Sequence, residues 1–253
     1  TSGVGIYADI SSASNHSDIV IDRSGTVMVA AGGGDGVDAF TLGNGNVTVT
    51  GTGNVTAGTG STKIGIDATS TGGNVSVTPA GTVTAGGTGI NAATNSTGTV
   101  TVTTASGAGG NVTGTNGDGI DTLAVDGNTV VTNRAALVSG AVNGDYSESD
   151  GLGAITIDGA GTYAGGTGDG IDAVMFGVGP AATFGVSPST DAGIWITGSG
   201  NATSTTGIGI NAFIDNGSNA SDIVIDRSGT VTVGSGGGDG VEAVTIGSGN
   251  LDI

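Results

Sequence analysis

An eleven-residue run, Ser17-Asp18-Ile19-Val20-Ile21-Asp22-Arg23-Ser24-Gly25-Thr26-Val27, recurs unchanged 204 positions later as Ser221 to Val231. Residues 1–49 align without a gap on residues 205–253 and are identical at 31 of 49 positions. A chain that copies itself in this way is built from like units stacked on like. We read residues 1–253 as one continuous stretch of such units, with 1–204 as one long unit and 205–253 as the start of the next. Thr1 and Ile253 both read as cut from something longer.

A shorter repeat is nested inside the long one. A Gly-(Ile/Val)-(Asp/Asn/Glu)-Ala tetrapeptide, or a near version, begins at Gly5, Gly36, Gly65, Gly89, Gly119, Gly170, Gly209 and Gly240. Gly140-Ala141-Val142-Asn143 is the degraded copy expected to keep the count regular, giving a mean step near 29 residues. After each tetrapeptide come a polar loop, an alternating segment such as Val47-Thr48-Val49 or Ile155-Thr156-Ile157, a Gly-rich turn and a third short segment such as Gly25-Thr26-Val27. Alternation at period two is the signature of a strand with one buried face. Hairpins would need tight loops between paired antiparallel runs of equal length. Here the similar segments are a whole repeat apart, so like pairs with like in parallel.

The expected fold is therefore all-β: a right-handed parallel β-helix (β-solenoid), about 29 residues per rung, with three short strands per rung. Ile6, Val37, Ile66, Ile90, Ile120, Ile171, Ile210 and Val241 should form one inward column. Ala8, Ala39, Ala68, Ala92, Ala173, Ala212 and Ala243 should stand beside it. Glycines at the corners would supply positive φ, and insertions would fall after the tetrapeptide. The largest, about 174–191, carries Phe176, Pro180, Phe184 and Pro188 and should project as a loop.

Composition agrees by exclusion. Gly supplies 55 of 253 residues but without a three-residue period, and there are only 3 Pro, so the chain is not collagen-like. Gly and β-branched residues are poor helix formers. No apolar run is long enough for a transmembrane helix. Aromatics are 3%, which suits a narrow core. A formal net charge of −18 argues against nucleic acid or anionic lipid as partner. The absence of Cys fits an exported protein without disulfides. No signal peptide is visible.

The rhythm of Gly-Ile-Asp-Ala, Gly-Asn-Val-Thr-Val and Gly-Thr-Val-Thr-Ala over the whole chain resembles the passenger regions of bacterial autotransporters and related large secreted β-helix adhesins. That resemblance implies export across a Gram-negative envelope and display at the cell surface. The expected function is that of an extracellular structural and adhesive protein, a stalk or filament segment acting through a stiff rung-stacked rod. Its partners would be further copies stacked head to tail and glycans or proteins of a host or neighbouring cell. A polysaccharide-acting β-helix enzyme, a lyase or glycoside hydrolase, is the alternative.

The residues favour the structural reading, with no catalytic or cofactor-binding residue assigned. His16 is the only histidine, and its counterpart one long unit later is Ala220. A glycosidase needs converging carboxylates in a cleft. Arg23 and Arg227 are expected to pair across rungs with Asp22 and Asp226, and Lys63 and Arg134 have no clustered partners in sequence. The third tetrapeptide position reads Tyr7, Asp38, Asp67, Asn91, Asp121, Asn143, Asp172, Asn211, Glu242 and should face outward, with Asn diluting the charge. Asp35, Asp118, Asp169 and Asp239 form a second acidic set in Gly-Asp-Gly corners. Calcium could bridge Asp35, Asp38, Asp67, Asp239 and Glu242; a solvated acidic face is the favoured reading, with no metal needed. The outward column Val20, Thr48, Ser76, Thr101, Thr156, Trp195, Val224 is too mixed for an ice-binding array, and Trp195 with Val224 suggests a contact surface. The tripeptides beginning at Asn46, Asn54, Asn74 and Asn111 match glycosylation acceptors but are explained by Asn at turns leading into strands.

Overall fold

A computed structural model describes residues 3–179 and 192–253. It is an all-β parallel solenoid of 26 strands, and among the described residues its helical content is one 3-10 turn, Ala108–Gly110. The strands form three sheets of nine, nine and eight members. Every third strand in sequence belongs to the same sheet, so the chain makes eight full turns and begins a ninth. We number the coils by their first-face strands: Ile6–Ile10, Val37–Thr41, Ile66–Ser70, Ile90–Thr94, Ile120–Ala124, Asp145–Ser149, Ile171–Met175, Ile210–Ile214 and Val241–Thr245. The register runs unbroken up the first face, Ile6 to Val37 to Ile66 to Ile90 to Ile120 to Asp145 to Ile171 to Ile210 to Val241. Coils take as few as 24 residues, from Asp67 to Asn91, and as many as 39, from Asp172 to Asn211.

The core is a set of columns rather than a cluster. On the first face the predicted Ile/Val and Ala columns are buried through coils two to five, seven and eight, apart from Thr122, which takes the Ala place in coil five. The second face buries Val47 with Val49, Val75 with Val77, Val100 with Val102 and Ile194 with Ile196. The third face stacks Val27, Val55, Val83, Val112, Val138, Tyr163, Ala202 and Val231. Each such Val or Ile contributes on the order of 1.5–3 kcal/mol by leaving water. Tyr163 is the exception to the expected absence of rings: it is fully buried, with its hydroxyl donating to Asp158 O at 3.3 Å. Its own coil makes room, since Asp145, Ser147 and Ser149 on the first face are short, and Ala202 follows it on the third.

The leading glycines serve a purpose different from the expected one. Positive φ is found at only seven described glycines, Gly51, Gly53, Gly107, Gly159, Gly179, Gly198 and Gly236, and none leads a tetrapeptide. The leading glycines are small because they stack on one another. A Cβ on Gly36 would lie 2.5 Å from Gly65 O, and the same 2.5 Å separates Gly89 from Gly119 O and Gly144 from Gly170 O.

The corners are held by side chains that bridge coils. Ahead of the first face, the Oδ1 atoms of Asp35, Asp118, Asn143 and Asp169 accept from the backbone N–H of Ile64, Asn143, Asp169 and Ile208, one coil further on. Ahead of the second face, Asp18, Asn46 and Asn74 do the same for Asn46, Asn74 and Thr99. Ahead of the third, Asn54, Asn111 and Asn201 accept from Thr82, Leu137 and Thr230. These Asx ladders satisfy backbone donors that a turn would otherwise leave bare. All four Asn of the sequence tripeptides, Asn46, Asn54, Asn74 and Asn111, are ladder members.

Two expectations are corrected here. The sixth coil opens at Gly144-Asp145-Tyr146-Ser147, not at Gly140-Ala141-Val142-Asn143; Gly140 ends the third-face strand Leu137–Gly140 of the coil before. The regular count drew attention to an apolar copy, whereas the true copy places Asp145 and Ser147 inward. The expected loop at 174–191 lies in part outside the described residues. Of its described members, Val174 and Met175 belong to the strand Ile171–Met175 and are buried.

Candidate functional site

The outward column of the first face is the most charged structure on the molecule. Register places Tyr7, Asp38, Asp67, Asn91, Asp121, Tyr146, Asp172, Asn211 and Glu242 in line. Asn143 is not among them, as it caps the corner; Tyr146 takes its place. The dilution by Asn is direct: Asn91 Nδ2 donates to Asp67 Oδ1 at 2.8 Å, and Asn211 Nδ2 to Asp172 Oδ1 at 2.9 Å. Tyr146 donates to Glu148 Oε2. The carboxyls are half-buried between neighbouring strands, and this burial, then the neighbouring carboxylates, pushes Asp38 up to about 6 and Asp121 and Asp172 up to about 7. Burial also raises Asp67, although the bond from Asn91 opposes it.

The five calcium candidates are separated by this geometry. Asp38 and Asp67 are direct cross-coil neighbours. Asp35 is half-turned into its corner, where its Oδ1 is occupied by Ile64 N–H at 2.8 Å. Asp239 and Glu242 belong to the ninth coil, seven coils away from the pair Asp35 and Asp38. Among the described residues no three His, Cys, Asp or Glu side chains are grouped to hold a metal ion. Of the Gly-Asp-Gly acids, Asp35, Asp118 and Asp169 are thus accounted for by corner bonding.

A second polar group is internal. Asp145 is fully buried, accepts from Ser147 Oγ at 2.9 Å, and keeps Oδ2 without a partner among the described residues. Ser147 Oγ also meets Thr122 Oγ1 at 2.8 Å. Burial pushes Asp145 up to about 8. The sequence carried one sign of this residue: Gly144 to Ser149 alternates like every other first-face strand, but with polar residues on the inner side.

The two arginines of the repeated run face inward. Arg23 continues the inward alternation of Ile19 and Ile21 and is 7% exposed. Its Nη1 donates to Gly53 O at 2.7 Å, and more weakly to Thr52 O at 3.3 Å and Gly25 O at 3.4 Å. Arg227 donates from Nη1 to Thr197 O at 2.6 Å and from Nη2 to Gly200 O at 2.7 Å, and lies 5.7 Å over the Tyr163 ring. The expected pairing with Asp22 and Asp226 is therefore replaced by carbonyl binding. Those aspartates sit at the outward, exposed step of the same strands. Arg23 needs a neighbour without a side chain, and its partner one coil on is Gly51, at positive φ; Arg227 likewise pairs with Gly198.

The outward column of the second face reads Val20, Thr48, Ser76, Thr101, Val130, Thr156, Trp195, Val224 and Asp252. Val130, passed over in the sequence, makes it more mixed still. The proposed contact pair is corrected: Val224 is 1% exposed, and Trp195 is half-buried with its Nε1 lacking a partner among the described residues. Exposed apolar side chains gather toward the two ends instead, Tyr7, Val20 and Met28 on the first coil and Val244, Ile246, Leu251 and Ile253 on the ninth, with Leu42, Val142, Leu152, Phe176 and Val178 between. His16 is exposed, as expected. No described helix is long and apolar enough to cross a membrane.

Comparison with family models, curated proteins and solved structures finds no match to this chain.

Proposed function

We propose that this chain is a segment of a rod-forming extracellular protein of the bacterial cell surface, of the kind its rhythm resembles in autotransporter passengers and secreted β-helix adhesins. Its action is mechanical and interfacial, not catalytic. The observation that carries the reading is the parallel register that the first face holds unbroken over eight turns, so that length follows coil number. At about 4.8 Å per coil, eight turns give a rod of roughly 38 Å. The net charge of −18 supports the reading, since it keeps neighbouring rods apart and soluble. The exposed Tyr7 and Met28 supply apolar contact points for a surface glycan or protein.

The reading is tested on the bacterium that encodes the chain. Antibodies raised against it should label intact, unpermeabilised cells and the fibres they carry. Labelling only after permeabilisation would overturn surface display. Incubation of the purified chain with uronate and neutral polysaccharides should release no new reducing or unsaturated ends; their release would establish the enzyme alternative.

A further inference from the structure

We propose that the uncovered face of the first coil is the seat of the seventh-coil strands Ile171–Met175, Ala192–Gly198 and Ala202–Ser204 from a second copy of the long unit, and that Arg23 closes this joint. The inference rests on the rod reading above and specifies which surfaces of the rod meet.

The first and eighth coils share every inward residue. Ile6, Ala8, Ile10, Ile19, Ile21, Arg23 and Val27 correspond to Ile210, Ala212, Ile214, Ile223, Ile225, Arg227 and Val231. Outward residues on the first and third faces differ, Tyr7, Asp9 and Met28 standing against Asn211, Phe213 and Thr232, while Val20 and Asp22 of the second face are kept as Val224 and Asp226. In the eighth coil these side chains lie on the seventh, paired Ile210 with Ile171, Ala212 with Ala173, Ile223 with Ile194 and Val231 with Ala202. There Ile210, Ala212, Ile214 and Ile223 are fully buried, whereas Ile6, Ala8 and Ile10 of the first coil are only partly so. Identical inward surfaces thus differ only in having a seventh coil beneath them.

The arginines report the same difference at atomic detail. Both occupy the same eleven-residue sequence. Arg227 reaches toward the seventh coil, taking two carbonyls there and covering the Tyr163 ring. Arg23 turns the other way, to the second coil, and leaves both Nε and Nη2 buried without partners among the described residues, where Arg227 leaves Nε alone. Beside it opens a pocket of about 390 Å³ lined by Gly5, Ile6, Arg23, Gly25, Thr26, Val27 and Met28. A buried guanidinium lacking partners is costly. The carbonyls of Thr197 and Gly200 in a second unit would accept from its Nη atoms as they accept from those of Arg227. The contact joins unlike faces, so it extends without closing.

The test is a chain in which residues 1–204 precede residues 1–253. The expected product is one rigid rod, longer by about 34 Å for seven added coils, seen by small-angle scattering and electron microscopy. Arg23→Met in the second unit should lower the melting temperature as much as Arg227→Met does in the parent chain. Arg23→Met in the first unit should be nearly neutral. Two rods joined by a hinge, or a neutral substitution at the junction, would overturn the joint. Should the tandem chain not fold, the parent chain with residues 205–253 replaced by the sequence of residues 1–49 reads the same fit. It should melt within a few degrees of the parent, and early proteolysis of the replaced coils would count against the proposal. Surface labelling of cells reads location alone, so either proposal can fail without the other.

Discussion

A Cβ on Gly65 would stand 2.4 Å from the carbonyl oxygen of Gly89 and equally close to Val83 Cγ1. Both are held, one by the ladder and one by the core, since Gly89 O accepts Ile66 N–H at 3.0 Å. Gly65→Ala should therefore cost about 2–3 kcal/mol, the range of overpacking in an unyielding core. Gly32, where a Cβ would meet nothing within 4 Å, is the control. Gly32→Ala should be neutral or slightly stabilising. Urea unfolding followed by circular dichroism separates the two.

The half-buried and buried acids make stability depend on pH with a definite sign. Their folded values, about 6 for Asp38, about 7 for Asp121 and Asp172 and about 8 for Asp145, lie above the ordinary carboxyl value of about 4. The folded state then holds protons more tightly than the unfolded chain. Their stabilising contribution is complete below about pH 4 and is lost as pH rises through 6 to 8. The melting temperature should be higher at pH 5 than at pH 9 by several degrees. Asp145→Asn should raise it at pH 9 and leave it nearly unchanged at pH 4.

Corner acids act as hydrogen-bond acceptors, so their charge should matter little. Asp35→Asn preserves an Oδ1 for Ile64 N–H and should be tolerated. Asp35→Ala removes it and should cost about 1 kcal/mol, the net worth of such a bond. The same contrast applies at Asn74, where Asn74→Asp should be milder than Asn74→Ala because Thr99 N–H needs only an oxygen.

Calcium tests the favoured account of the acidic face. With the corner oxygens engaged by backbone N–H, addition of a chelator should leave the thermal transition where it was. A fall of many degrees on chelation would mean that a cation bridges the acidic residues.

The fold was legible because a period of about 29 residues and a period of two were superimposed on the whole chain, and each has one physical cause. The inward columns at Ile66, Ile90 and Ile171 follow from that pattern alone. What escaped it was chemistry that breaks the apolar rule. Asp145 takes an inward place that both neighbouring coils give to Ile, so a search for apolar copies settles on Gly140-Ala141-Val142-Asn143 instead. Arg23 reads as a charged corner residue, yet alternation from Ile19 and Ile21 places it inside, where the carbonyls of the next coil receive it. The glycines at Gly36 and Gly65 were visible, but their cause was not. Crowding against the next coil is a property of the stack, and no single repeat contains it. The burial of Val224 depends on neighbours that its own strand does not supply.

The central claim is that residues far apart in sequence are stacked in parallel register, one coil per step. The chain has no Cys, so pairs of spin labels can be placed without background. Thr48, Thr156 and Asp252 occupy the same outward column at the second, sixth and ninth coils. Labels at Thr48→Cys with Thr156→Cys should lie about 19 Å apart, and at Thr48→Cys with Asp252→Cys about 34 Å apart, four and seven steps of about 4.8 Å. Distances that rise with coil number in this way are what the solenoid predicts. Broad distributions, or a Thr48 to Asp252 distance no longer than the Thr48 to Thr156 distance, would contradict it.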